Sequence, residues 1–292
     1  MRKAKILMVV IVVAAASYLS AATNGNRYCN VKSFDGEIIS YNVCGSGRET
    51  LVFVHGWSCD SRYWRQQMPY FAKKYQVVTI DLAGHGHSSQ NRKIYSPESF
   101  GHDIKAVVED VNARKVILIG HSMGGEIVAC ATRLMPERII GIVGVDTLQN
   151  VEDTMDKEVF AKMVESFQKD FKGEVGSFVE SMLGKNIKPE LKKWIIDDMS
   201  SAPPYVAISA FKEYVPKFEN KGMANIFKDI RCPIRCVNAD LWPTNPEANR
   251  RYMSSFDVAI MKDCGHFVML EKPKEFNKLL DSSIKEIIKK AK

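Results

Sequence analysis

The chain has 292 residues, of which 46% are hydrophobic and 26% charged, the balance of a globular protein able to bury a sizeable core. Its net charge of +7 is modest and scattered. No zinc-finger, P-loop or interleaved aromatic and basic motif is present, so nucleic acid is not an expected partner.

Arg2, Lys3 and Lys5 precede an apolar run from Ile6 to Ala16, and small residues follow as far as Ala22. Residues 1–22 therefore read as a signal peptide, which places the chain in the periplasm or outside the cell. The alternative is an uncleaved anchor, because the run approaches the roughly 20 residues that a spanning helix needs. The membrane is expected as a partner only through this segment, if it is retained.

The seven cysteines are an odd number, and their spacing does not resemble a zinc site. Buried thiols are the expected state for most of them. Cys29 to Lys32 and Ile38 to Tyr41 read as a hairpin turning at Asp35-Gly36. Setting Phe34 opposite Glu37 puts Cys29 opposite Asn42, one diagonal from Cys44.

An alternation follows. Leu51 to Val54 is a strand buried on both faces, Arg62 to Tyr75 a helix, and Val77 to Ile80 another strand. Ser96 and Pro97 open a helix with Phe100, Ile104, Val107, Val108 and Val111 on one stripe. Then come a strand at Val116 to Ile119, a helix at Gly124 to Leu134 and a strand at Ile139 to Val145. From 150 to 228 the rhythm breaks into a helical stretch rich in Met and Phe. It resumes with strands at Ile234 to Val237 and Val258 to Met261 and a helix from Pro273, whose lysine-rich end reads as a solvated terminus. The expected fold class is α/β, a mostly parallel open sheet with helices on both faces and right-handed crossovers. Residues 23–149 and 229–292 would form the core domain, and 150–228 a helical cap over the strand C-termini.

Within that pattern Gly120-His121-Ser122-Met123-Gly124-Gly125 sits where a central strand hands over to a helix, the context of a G-x-S-x-G nucleophile elbow. Gly120 and Gly124 would relieve clashes in so sharp a turn. His266 follows the last strand in a glycine-bearing loop and is the expected base for Ser122. Asp240, after the strand Ile234 to Val237, is the expected acid, and Asp146, after Ile139 to Val145, is its rival. The backbone N–H groups of Trp57 and Met123 are the expected oxyanion donors. Trp57 and Trp242 are the expected substrate-binding tryptophans. His55 reads as a loop-ordering residue, Asp81 as a turn former, His85, His87 and His121 as turn or packing residues, and Glu271 as a helix-start residue.

The segments HGW (55–57), DLAGHGHS (81–88), GHSMGG (120–125), NADLWP (238–243) and CGHFVMLEKP (264–273) together resemble the α/β-hydrolase fold, across nearly all of residues 29–292. The resemblance implies Ser122 as nucleophile, His266 as base, Asp240 as acid and no metal or organic cofactor. A serine in place of aspartate at the elbow argues against the dehalogenase and epoxide-hydrolase branches. The expected activity is hydrolysis of a small-molecule carboxylic ester with an apolar acyl group. A carbon–carbon hydrolase, an amidase, a cofactor-free peroxidase or a non-catalytic binder of apolar ligands are the alternatives.

Overall fold

The computed structural model describes residues 25–214 and 222–291. Residues 1–22, expected to be a signal peptide, lie outside them. No helix among the described residues is long and apolar enough to cross a membrane.

Strands β1 (Arg27–Lys32) and β2 (Ile38–Cys44) form the hairpin. Cys29 pairs with Tyr41, one position off the expected register, because the connection holds five residues with Gly36 at φ +94°. After β3 (Thr50–Val54) the expected long helix is instead a 3₁₀ turn at Ser61–Trp64 and a short α1 (Met68–Phe71). Pro69 has no N–H to continue a ladder begun upstream, and it sits in the first turn of the new helix, where none is needed. The break also lets the fully buried Tyr63 and Trp64 turn into the core.

Next come β4 (Gln76–Ile80), α2 (Pro97–Asp110), β5 (Val116–His121), α3 (Gly124–Leu134) and β6 (Ile139–Val145). Ser96 caps α2 through the Ser99 N–H while the Ser99 hydroxyl accepts the Ser96 N–H, a reciprocal capping box. The helices α4 (Lys157–Lys169), α5 (Phe171–Ser181), α6 (Pro189–Ser200), α7 (Pro204–Tyr214) and α8 (Gly222–Phe227) then intervene before β7 (Ile234–Ala239). The chain closes with α9 (Pro246–Arg250), β8 (Phe256–Met261), α10 (Val268–Glu271) and α11 (Pro273–Lys290).

The eight strands form one sheet in the order β1-β2-β4-β3-β5-β6-β7-β8. The first three are linked antiparallel, and every pairing from β4 to β8 is parallel. The chain moves one way along the sheet from β3 to β4 and the other way from β5 to β6. Right-handed crossovers then place α1 and α3 on opposite faces. The reversal lies between the adjacent strands β3 and β5, and in open sheets ligand sites form beyond the strand C-termini at such a point.

The inserted helices are fastened over this edge. The Trp57 Nε1–H donates to the Ala207 carbonyl at 2.7 Å, and the Trp57 ring stacks on Phe167 with centroids 5.5 Å apart. Arg62 pairs with Asp60 of the core and Asp198 of α6 at once, and the Arg65 guanidinium lies 4.1 Å over the Trp194 ring. Aromatic packing of this kind contributes about 0.5–1.5 kcal/mol per pair beyond the area it buries.

Candidate active site

Ser122 follows directly on β5 and has φ +54°, a left-handed conformation that costs a residue with a Cβ roughly 1–2 kcal/mol. The backbone of the turn is nonetheless satisfied: the Ser122 N–H donates to the Val145 carbonyl at 3.1 Å, and Ser122 O accepts from Gly125 N–H at 2.9 Å. The glycines are required by contact. A Cβ on Gly120 would lie 2.2 Å from the Gly124 carbonyl oxygen, and one on Gly124 would lie 2.9 Å from those of Val54 and His55. The sharp turn thus presses the start of α3 against the end of β3. The side chain of Ser122 faces a cavity, at the positive end of the α3 dipole.

The loop after β3 packs straight onto the elbow. A Cβ on Gly56 would sit 3.1 Å from Ser122 Cβ and 2.9 Å from His121 Nδ1, so glycine alone fits. His55 is fully buried and ties two loops together: Nδ1–H donates to the Gly56 carbonyl at 2.8 Å, and Nε2 accepts the Leu82 N–H at 3.1 Å. Burial lowers its pKa and keeps it neutral, as a loop-ordering residue requires. Trp57 and Met123, the two expected oxyanion donors, line the cavity together with Ser122 and His266.

The acid is where the structure departs from expectation. Asp240 does not meet His266. Strand β7 runs two residues further than its apolar core, pairing Asn238 with Ile260 and Ala239 with Met261, and carries Asp240 past the site. There the Asp240 N–H donates to the Met261 carbonyl at 2.9 Å, and its carboxylate faces solvent 3.9 Å from Lys262 Nζ. The residue against His266 is Asp146. It turns at the end of β6 with φ +43° and reaches over β7. Its Oδ2 accepts the His266 Nδ1–H at 2.5 Å, and its Oδ1 accepts the Ala239 N–H at 2.8 Å. The Asp146 side chain is fully buried and that of His266 nearly so. Asn238 braces the same turn, exchanging two hydrogen bonds with the Thr147 backbone.

His121, expected as a turn or packing residue, packs against His266. Its ring lies 4.6 Å from that of His266, and its Nε2–H donates to the His266 carbonyl at 3.0 Å. Burial, and then the charge of His266, hold its pKa well below the usual histidine range. Trp242 corrects another expectation: it does not line the cavity, but packs edge-to-face on His266 with centroids 5.3 Å apart, 38% exposed. The cavity, of about 170 Å³, is lined instead by Met155, Met163, Met182, Met199, Phe178 and Phe211 around the catalytic candidates. Ser122 and His266 therefore open onto an apolar chamber. Among the described residues, Glu98, Glu126 and Cys130 bring potential metal-ligand atoms within 4.8 Å of one another, but none of the three lines this chamber.

Comparison with known proteins adds to this geometry. The profile of the alpha/beta hydrolase fold family matches residues 49–187. An esterase structure from Thermogutta terrifontis superposes with a TM-score of 0.76 at 19% identity, covering 89% of this chain and 99% of its own. This is an α/β-hydrolase-fold protein. In sequence, the chain is 23% identical over 186 residues to Karrikin insensitive 2 receptor IA of Petunia hybrida, which is 60% of this chain and 68% of the receptor. It is 37% identical over 100 residues to a non-heme haloperoxidase of Rhodococcus erythropolis, about a third of each chain (34% and 36%).

Proposed function

We propose that the protein is an exported serine hydrolase that cleaves a carboxylic ester with an apolar acyl group, using Ser122, His266 and Asp146. The observation that carries this reading is a serine in a left-handed strand-to-helix turn, sharing an apolar cavity with a histidine whose far nitrogen is held by a buried carboxylate.

The steps follow from the roles. With Asp146 accepting from Nδ1–H, the Nε2 of His266 carries the lone pair and takes the Ser122 proton as Oγ attacks the ester carbonyl. The Trp57 and Met123 N–H groups receive the developing oxyanion, in a site whose apolar walls make those dipoles count for more than they would in water. His266 then protonates the leaving alcohol. It next deprotonates a water, which releases the acyl group, and Asp146 stabilises the imidazolium throughout. The helices of 150–228 act as a cap whose methionines and phenylalanines hold the acyl chain. Methionine is unbranched and adaptable, which suits a pocket that fits more than one apolar group.

Hydrolysis of 4-nitrophenyl esters of increasing acyl length by the chain without residues 1–22 tests the proposal. Measurable turnover is expected, with kcat/KM falling once the acyl group outgrows the cavity. Ser122→Ala should lose at least about a thousandfold. Turnover that survives Ser122→Ala would remove the reading.

The relatives favour two further readings of the same site. Haloperoxidase relatives fit peroxide replacing water in the release step, and receptor relatives fit a chamber that holds an apolar ligand. Peroxide-dependent halogenation in acetate buffer would favour the first. Tight binding of an apolar ligand, with Ser122 inert to esters, would favour the second.

A further inference from the structure

Glu271 sits at the end of α10, and its carboxylate turns back beneath the loop that carries His266. Its Oε2 accepts the Gly265 N–H at 2.9 Å. On the opposite side the His266 N–H donates to the Met182 carbonyl at 2.8 Å, and Met182 belongs to the cap and lines the cavity. The three segments touch through their backbones. A Cβ on Gly184 would lie 2.3 Å from Glu271 Oε2 and 2.7 Å from Gly265 N, and a Cβ on Gly265 would lie 2.2 Å from Gly184 N. Nothing larger than glycine fits on either side of this junction.

We infer that Glu271 is a positioning residue that clamps the histidine loop to the cap turn at 182–184, so that the seating of the cap sets the place of His266. The inference rests on the hydrolase reading for its kinetic consequence but not for its geometry. His266 is held at three points. Asp146 fixes its ring, Met182 its N–H and His121 its carbonyl. The Met182 contact comes from the cap, and Glu271 is the group that keeps loop and cap turn in register. Burial raises the pKa of this carboxyl, and the N–H groups of Gly265, Phe267 and Gly184 oppose that rise, so they favour its ionised form. Misplacing a reacting group by about 1 Å can cost on the order of a hundredfold in rate. The clamp therefore acts on kcat, whereas substrate contacts within the chamber act on KM.

The test compares wild type with Glu271→Gln, Glu271→Ala and Gly184→Ala, using ester kinetics, thermal melting and the downfield Nδ1–H proton resonance of His266. Glu271→Ala is expected to lower kcat by about ten- to a hundredfold with KM within about twofold, and to shift or broaden the resonance. Glu271→Gln keeps an acceptor for the Gly265 N–H and should recover most of both. Gly184→Ala presses on the clamp from the cap side and should reproduce the loss with Glu271 intact. An unchanged kcat and resonance in folded Glu271→Ala would overturn the inference, as would a change confined to KM. Should Glu271→Ala fail to fold, unaltered behaviour of Gly184→Ala would overturn it. Wild-type protein that lacks esterase activity but shows the resonance would sink the hydrolase reading alone. The resonance in the variants then decides the clamp.

Discussion

Asp146 reaches from the end of β6 across the top of β7 to accept the His266 Nδ1–H at 2.5 Å, while Asp240, at the end of β7 itself, stands out in solvent beside Lys262. The loops that carry Asp146 and His266 are thus not on neighbouring strands; one whole strand lies between them.

This arrangement separates two substitutions that are chemically alike. Asp146→Asn leaves the shape but removes the charge that fixes the His266 tautomer, and kcat should fall by about 10⁴-fold. Asp240→Asn should leave kcat/KM within about twofold, because a surface ion pair contributes little. Steady-state kinetics of the two variants side by side checks both. Equal losses would return the acid role to Asp240.

Gly56 bears on the proposed oxyanion loop. In Gly56→Ala the new methyl meets Ser122 Cβ and His121 Nδ1 at about 3 Å, so the loop must back away and take the Trp57 N–H with it. The loss of a well-aimed oxyanion donor costs about 10²–10³-fold in kcat. Michaelis–Menten analysis should show that fall in kcat with KM little changed and the fold intact by circular dichroism.

Stability should depend on pH through the buried histidines. Burial lowers the pKa of His85 from 6.5 to about 3, so between those values the unfolded chain binds a proton that the folded chain does not. Stability is therefore complete above 6.5 and is lost as the pH falls through this window, at about 1.4 kcal/mol per pH unit for each such histidine. His55 and His121 shift in the same direction and add to the slope. Urea unfolding from pH 7 to 4 measures the effect, and His85→Phe should reduce the slope by about one proton.

A second stability test lies far from the chemistry. Arg92 and Asp103 form a buried pair at 2.7 Å, and Asp103 also accepts the Ser33 hydroxyl at 2.6 Å, which joins the β1–β2 turn to α2. Arg92→Leu leaves the buried Asp103 without its counter-charge. The expected cost is about 3–5 kcal/mol by denaturant unfolding. Activity per folded molecule should not change.

The order of strands and helices was legible because buried parallel strands read as short apolar runs, and Val52, Val78, Leu118 and Val143 are all fully buried. Ser122 and His266 were legible because glycines and strand ends mark them locally. The choice between Asp146 and Asp240 was not. Both aspartates end strands, and what separates them is the distance by which β7 overruns its apolar stretch, which depends on pairing with β8. The helix expected over 62–75 failed at Pro69, a breaker visible in the sequence. His121 acts on a backbone carbonyl 145 positions away, that of His266, and Glu271, though it bonds the nearby Gly265 N–H, meets the cap at Gly184. No local pattern marks such contacts. Gly56 carried a signal that could have been used: a glycine set between the loop-ordering histidine and the oxyanion tryptophan invites the question of what presses against it.

The most direct measurement is labelling of the purified chain, without residues 1–22, by a fluorophosphonate, with peptide mapping of the adduct and Ser122→Ala, Asp146→Asn and Asp240→Asn in parallel. Modification at Ser122 that disappears in Ser122→Ala, slows sharply in Asp146→Asn and persists in Asp240→Asn is the expected result. An intact protein that takes no label, or takes it elsewhere than Ser122, would contradict the assignment of a working nucleophile.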